Sequence, residues 1–267
     1  MSTKQQTVTT PGRLDGRTCV VTGGGRGIGA AMAARLAADG ANVVIADVDE
    51  GTAAATADGL GERASAVACD VSDRAQVAAA FDHAIDRFGG LDVVFNNAGV
   101  ALTKPLMQTD EDDFERLMRI NVRGVLTGTQ EAARRMGARG GGKIVNTASI
   151  AGKQGYPMLS LYSATKFAVV ALTQAAAREL AGEGITVNAI CPGVVGTDMW
   201  TEIDRAFVAH GMAEREGETF AKFSEGILVG RPSRADDLAG IASFFASPDS
   251  DYVTGQSWQV DGGMVLQ

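Results

Sequence analysis

The sequence predicts an α/β fold: a doubly wound, seven-stranded parallel sheet with helices on both faces. Two observations lead there. Short apolar runs alternate with longer helical segments along the whole chain. The runs are almost continuously apolar rather than alternating, as in strands buried on both faces. A β-α-β-α alternation implies a parallel sheet covered on both sides, joined by right-handed connections.

Strands are expected at 18–22, 41–46, 64–69, 91–95, 143–146, 185–190 and 257–260, each a short apolar run. Helices are expected between them at 27–39, 50–60, 74–88, 111–137, 160–181 and 234–246. The stretch 159–180 lacks internal Pro and Gly and is rich in Ala and Leu, which favours a helix. The segment 196–231 breaks the rhythm. It is charged, holds Trp200, Phe207, Phe220 and Phe223, and is too long for a plain connection. It reads as a partly helical lid over a substrate, because it follows strand six, where ligands bind in such sheets. The competing reading is a surface excursion that packs its aromatics on the body.

Composition bounds the function. At 267 residues the chain fits one domain. Residues 14–267 are expected to form it, with 1–13 as a flexible polar tail. The net charge of −8 has the wrong sign for a nucleic-acid surface. No apolar run approaches the ~20 residues of a membrane-spanning helix, and none near the N-terminus resembles a secretory signal. Cys19, Cys69 and Cys191 are scattered and odd in number, which fits a reducing cytoplasm. With only His83 and His210, and no paired Cys spacing, no metal site is expected.

Strand one is followed by Thr22-Gly23-Gly24-Gly25-Arg26-Gly27-Ile28-Gly29 and a helix. Glycines permit a tight turn and close approach of backbone to phosphate, and the helix N-terminus favours negative charge. Strand before and helix after make this a Rossmann-type dinucleotide turn. Asp47 follows strand two, eighteen residues past Gly29. A carboxylate there can accept from both hydroxyls of an adenosine ribose and repels a 2′-phosphate, which argues for NAD over NADP. Arg26 is a counter-signal, since a basic side chain could meet that phosphate. Asp47 could also belong to the start of the next helix.

Tyr162 and Lys166 lie four residues apart, with Ser149 thirteen residues upstream of Tyr162. On a helix, such a pair shares a face. A free tyrosine loses its proton only near pH ~10. A neighbouring ammonium lowers that value, toward the range where general acid–base work is efficient.

With these residues assembled, the chain resembles the short-chain dehydrogenase/reductase family over about residues 14–263. The resemblance rests on Thr22-Gly23, Gly27-Ile28-Gly29, Asp70-Val71, Asn96-Asn97-Ala98-Gly99, Asn121, Ser149, Tyr162, Lys166 and Pro192-Gly193. It implies that Tyr162 is the general acid/base and that Ser149 positions the substrate oxygen. Lys166 would bond the nicotinamide ribose and lower the Tyr162 pKa. Asn121 would hold a water in a proton relay. Asp70 and Val71 would meet the adenine, and Asn97 and Gly99 would line the cofactor and brace the sheet. Pro192, Gly193, Val195 and Thr197 would cradle the nicotinamide. The resemblance also implies a homotetramer built on the long helices at 111–137 and 160–181 and on the C-terminal strand.

Within the family, the segments at 191–204 and 247–257 and the ending Asp261-Gly262-Gly263-Met264-Val265 are most similar to acetoin (diacetyl) reductases, or butanediol dehydrogenases, and to polyol dehydrogenases. The implied activity is NAD(H)-dependent interconversion of a small ketol, diol or polyol. Ile150, Tyr156 and Trp200 are candidate substrate contacts. An apolar Ile150 and an amphipathic Tyr156 favour small vicinal ketols over a long polyol, or a larger apolar ketone; both residues could instead simply pack. Two alternatives remain: a 3-oxoacyl thioester reductase, and an NAD sensor without turnover. Apolar Met264-Val265-Leu266 suggests either an interface or intrachain packing.

Overall fold

A computed structural model describes residues 12–266. Most of the expected tail, residues 1–11, lies outside them, as does Gln267. The strands are β1 Thr18–Thr22, β2 Asn42–Asp47, β3 Ala64–Ala68, β4 Val93–Asn96, β5 Gly142–Thr147, β6 Ile185–Pro192 and β7 Ser257–Val260. They form one parallel sheet in the order β3-β2-β1-β4-β5-β6-β7. The order reverses between β1 and β4, which opens a crevice at the carboxyl ends of those strands.

Strand residues alternate between two cores. Cys19, Val21, Val43, Ile45, Val93 and Phe95 pack on one face with Met32 and Leu36 of helix α1 (Gly27–Ala38). Ala53 of α2 (Glu50–Leu60) joins that face. Val20, Val44, Val94 and Ile144 face the opposite core, with Val77 and Phe81 of α3 (Arg74–Phe88). Phe81 and Phe95 are fully buried, and each contributes about 2 kcal/mol of hydrophobic stabilisation. The two edge strands, β3 and β7, depart from the expected two-sided burial. β3 has β2 as its one neighbour, and its residues are partly exposed. β7, beside β6 alone, is partly exposed too.

The helix expected at 111–137 is interrupted. Helix α4 (Glu111–Leu117) runs into a π-helical turn, Met118–Arg123, before α5 (Gly124–Gly137) resumes. Asn121 sits in that turn and is 1% exposed. Such wide turns recur at functional sites. Helix α6 (Ser160–Leu180) is continuous. The segment after β6 holds α7 (Asp198–Ala209) and α8 (Glu218–Ser224). Its base is pinned: Gly196 N–H donates to Ser233 O at 2.9 Å, and Ser233 N–H donates to Val194 O at 2.8 Å. The last expected helix opens with a 3-10 turn, Ala235–Leu238, and continues as α9 (Ala239–Ala246).

A buried polar chain ties the middle of the fold together. Asn96 Nδ2 donates to Asn146 Oδ1 at 2.9 Å, and Asn146 Nδ2 donates to Thr173 Oγ1 at 2.9 Å. This links β4, β5 and α6. Gly128 of α5 lies over Asn96, where an added Cβ would stand 2.0 Å from Asn96 Oδ1. Gly128→Ala must displace that amide and should destabilise the protein by about 1–3 kcal/mol, the cost of overpacking. The urea unfolding midpoint checks this, and an unchanged midpoint would contradict the packing described.

Candidate active site

β5 and α6 position the candidate reacting groups. Past β5, Ser149 opens a 3-10 turn, and its Oγ accepts from Ala151 N–H at 3.1 Å. Lys166 is 4% exposed. Its Nζ donates to Thr147 O at 2.8 Å and stands 5.6 Å from the centre of the Tyr162 ring. One helical turn therefore brings the ammonium alongside the phenol. Thr165 hydroxyl donates to Tyr162 O at 2.7 Å and accepts from Asn121 Nδ2 at 3.1 Å. The Asn121 amide also pairs with the backbone of Val100: Nδ2 donates to the carbonyl at 2.8 Å, and Oδ1 accepts from the N–H at 2.9 Å. The π-helical turn is thus fastened to α6 and to the segment after β4.

Electrostatics modify the expectation for the pair. Burial pushes Tyr162 up to about 12, with the Ser149 hydroxyl pulling the other way. Burial pushes Lys166 down to about 8. The sequence led us to expect Lys166 to lower the phenol. Within the chain, loss of water dominates both groups, because packing α6 on β5 and β6 desolvates them together. Burial also raises all three thiols, so none is poised as a nucleophile.

The glycine turn lies at the same edge of the sheet. Gly23 and Gly27 have φ of 62° and 55°, a region that favours glycine. A Cβ on Gly29 would stand 2.1 Å from Gly23 O, so the turn closes only with glycine there. Asp49, Asp73 and Asp110 cap α2, α3 and α4 through their side chains. Helix α1 has no side-chain cap, and its first turn carries no acidic residue. Its free N–H groups and positive dipole end suit a pyrophosphate. Asp49, not Asp47, therefore serves as the start signal of α2. Asp47 is 8% exposed at the end of β2. It accepts from Gly25 N–H at 2.9 Å and from Asp49 N–H at 3.1 Å, and so faces the glycine turn. Arg26 beside it is exposed, and Ile28 packs at the rim of the core.

The remaining candidates line the crevice between these two regions. Asn97 Nδ2 donates to Thr22 O at 3.0 Å and to Gly23 O at 3.1 Å, and its Oδ1 accepts from Thr147 Oγ1 at 3.1 Å. One amide thus ties the glycine turn to β5, whose Thr147 carbonyl anchors Lys166. A Cβ on Gly99 would stand 3.2 Å from Asn121 Oδ1 and 3.6 Å from Lys166 Nζ. Asp70 accepts from Ser72 N–H at 2.8 Å. Val71 is buried against Gly124. Pro192 and Val195 are buried at the end of β6, and Gly193 packs against Asp261. Thr197 lies 3.6 Å from where a Gly27 side chain would begin. These cradles, the uncapped helix and Asp47 fit a dinucleotide.

On the substrate side, Ile150 is buried, 5% exposed. The Tyr156 hydroxyl accepts from Gln154 Nε2 at 2.7 Å, and its ring lies 5.8 Å from Phe223. Trp200 packs edge-on against Phe220 and Phe223. Two residues here escaped the sequence reading. Met158, four before Tyr162, has a φ of 67° without being glycine, and no residue pattern announces that. Asp204 ends one of the segments similar to acetoin reductases, and nothing in the residue pattern announces that it is 4% exposed and bonded to the N–H groups of Gly217 and Phe220 at the start of α8. At the C-terminus, Val265 packs inside the chain, as the intrachain reading expects, and Leu266 is exposed. Among the described residues, no three metal-ligating side chains gather.

Known proteins are similar to this chain in sequence and fold. The family described as enoyl-(acyl carrier protein) reductase matches residues 23–265. An L-2,3-butanediol dehydrogenase of Corynebacterium glutamicum is 47% identical, over 93% of this chain and 98% of that protein. A diacetyl reductase, (S)-acetoin forming, of Staphylococcus epidermidis is 43% identical, over 94% and 99%. The crystal structure of a gluconate 5-dehydrogenase of Burkholderia cenocepacia, in complex with NADP and tartrate, superposes with a TM-score of 0.85. It is 39% identical and covers 94% of this chain and 96% of that one. Fold, crevice and likeness together show that the chain belongs to the short-chain dehydrogenase/reductase family of oxidoreductases, whose cofactor is a nicotinamide dinucleotide.

Proposed function

We propose that this enzyme interconverts a small vicinal ketol or diketone with its diol or ketol, using NAD(H). The observation that carries the reading is the meeting of Ser149, Tyr162 and Lys166 at the edge of a dinucleotide turn faced by Asp47. A bound nicotinamide supplies or accepts the hydride. The chain does the rest. Tyr162 gives its phenolic proton to the carbonyl oxygen in reduction and takes it back in oxidation. Ser149 donates a hydrogen bond to the same oxygen as charge develops on it. Lys166, anchored on Thr147 O, holds the cofactor ribose and offers its charge to the phenolate. Asn121 fixes the segment through which a water relays protons.

Asp47 supports NAD. A 2′-phosphate would crowd a dianion against a buried carboxylate, a penalty that exposed Arg26 offsets poorly. The similarity to a butanediol dehydrogenase and a diacetyl reductase supports the substrate class. A second reading, a 3-oxoacyl thioester reductase, is favoured by the description of the matching family. The acidic balance of the chain, −8, opposes docking of an acidic carrier. We also place the enzyme in the cytoplasm, supported by three free buried thiols. No helix among the described residues is long and apolar enough to cross a membrane. Exposed Phe114, Leu126 and Phe167 on α4, α5 and α6 support the homotetramer; a light-scattering mass of one 27.6 kDa chain would exclude it.

Initial rates with diacetyl and racemic acetoin, using NADH and NADPH, test the reading against an acetoacetyl thioester. Fast NADH-dependent ketol turnover is expected; thioester turnover alone would overturn the substrate assignment. Asp47→Ala should cost about tenfold or more in kcat/KM for NADH, since charge-assisted hydrogen bonds are worth roughly 1.5–3 kcal/mol. Tyr162→Phe should lower kcat by about a thousandfold while NADH still binds, which a fluorescence titration reads. Retained turnover in Tyr162→Phe would remove the phenol from the mechanism.

A further inference from the structure

The segment after β6 carries a small core of its own. Met158, Ile203 and Phe207 are buried together, with Trp200 and Phe223 packed on them. Phe223 is the hub, 5.8 Å from the Tyr156 ring, 5.4 Å from Trp200 and 6.1 Å from Phe207. Tyr156 and Met158 belong to the stretch between Ser149 and Tyr162. Phe223 therefore joins α8 to the stretch that carries both reacting hydroxyls. That stretch is strained at Met158, with φ 67°, and such strain persists only where packing over-determines it.

Helix α8 cannot hold Phe223 by itself. It has seven residues, too few for a stable isolated helix, and its N-cap, Gly217, offers no side chain. The cap comes from α7. The Asp204 carboxylate accepts from Gly217 N–H and from Phe220 N–H, the latter at 3.0 Å. Asp204 is 4% exposed, and the neighbouring Arg205 is drawn to Glu216 instead. A buried carboxylate is costly unless its oxygens are bonded. Asp204 thus ties α8 to α7 through those two N–H groups.

We propose that Phe223 is a specificity-determining residue of this enzyme and that Asp204 is the positioning residue that holds it. The proposal rests on the reading of the site as a ketone/alcohol oxidoreductase. The hub is an apolar wall facing the stretch that carries Ser149 and Tyr162. It accepts short alkyl groups flanking the carbonyl. The Phe223 ring itself offers an extended polyol no hydrogen-bond partner, and it fills the space an aryl-substituted ketone needs. A compact, alkyl-flanked ketol or diketone is the class that fits.

The test uses the full chain carrying Trp258→Phe, which leaves Trp200 as the sole tryptophan of two. Acetoin and a phenyl-substituted vicinal diketone are compared in that parent, in Phe223→Ala, in Phe223→Leu and in Asp204→Asn, together with acrylamide quenching of Trp200. Phe223→Ala should shift the kcat/KM preference toward the aryl diketone by about 10–100-fold, the range for opening an apolar pocket, and Phe223→Leu by less. Asp204→Asn should raise KM for acetoin about tenfold with kcat within about threefold, the signature of lost binding rather than lost chemistry. It should also raise Trp200 quenching. An unchanged preference in Phe223→Ala overturns the proposal. So does Asp204→Asn with parental KM and quenching. If the parent reduces neither ketone, the proposed function fails, and unchanged quenching in Asp204→Asn then decides separately against its positioning role. Should Asp204→Asn not fold, the Phe223 pair decides.

Discussion

The site depends on a buried ammonium lying alongside a desolvated phenol. Lys166 has lost its water and keeps one backbone carbonyl, Thr147 O, at 2.8 Å. Tyr162 has lost much of its own and rises to about 12. Neither group is comfortable charged on its own. A proton leaves the phenol readily only where positive charge is held close, so the surrounding structure must fix that closeness. The i,i+4 spacing on α6 supplies it, and the unbroken helix keeps it.

The supports converge on the carboxyl ends of β1, β4 and β5. Asn97 binds the glycine turn on one side and Thr147 on the other. Asn121 binds Val100 and Thr165, the residue before Lys166. Asn96, Asn146 and Thr173 repeat the device one layer deeper. Each amide satisfies buried partners that would otherwise cost free energy unpaired. The nucleotide end and the proton-transfer end therefore share one framework. Displacing either should be felt at the other, because close-packed interiors transmit strain.

Much of this was readable in the residues. Apolar runs such as Val20-Val21 and Val43-Val44-Ile45 marked the buried strands, since burial on both faces removes the alternation that would blur them. The glycine turn, Asp47 and the Tyr162–Lys166 pair follow from local spacing, and local spacing survives folding. Non-local features were not readable. The π-helical turn around Asn121 reflects packing of α4 and α5 on the body, and helix propensity cannot register it. The φ of Met158 and the cap that Asp204 lends to α8 join segments distant in sequence. The raised phenol was missed for a related reason: spacing reveals a charged neighbour, but burial depends on every element packed around the pair.

In the proposed mechanism, Lys166 charge offsets the burial that raises the Tyr162 phenol. The pH profile of kcat/KM for alcohol oxidation, in the wild type, Lys166→Met and Tyr162→Phe, tests it most directly. The phenol must be ionised to accept a proton, so oxidation rises with pH through its working pKa, and ketone reduction falls. Lys166→Met should move the rising limb upward by about one unit or more, since each unit is roughly 1.4 kcal/mol of lost charge support. Tyr162→Phe should abolish the limb. A limb that stays in place in Lys166→Met, or persists in Tyr162→Phe, would contradict the mechanism.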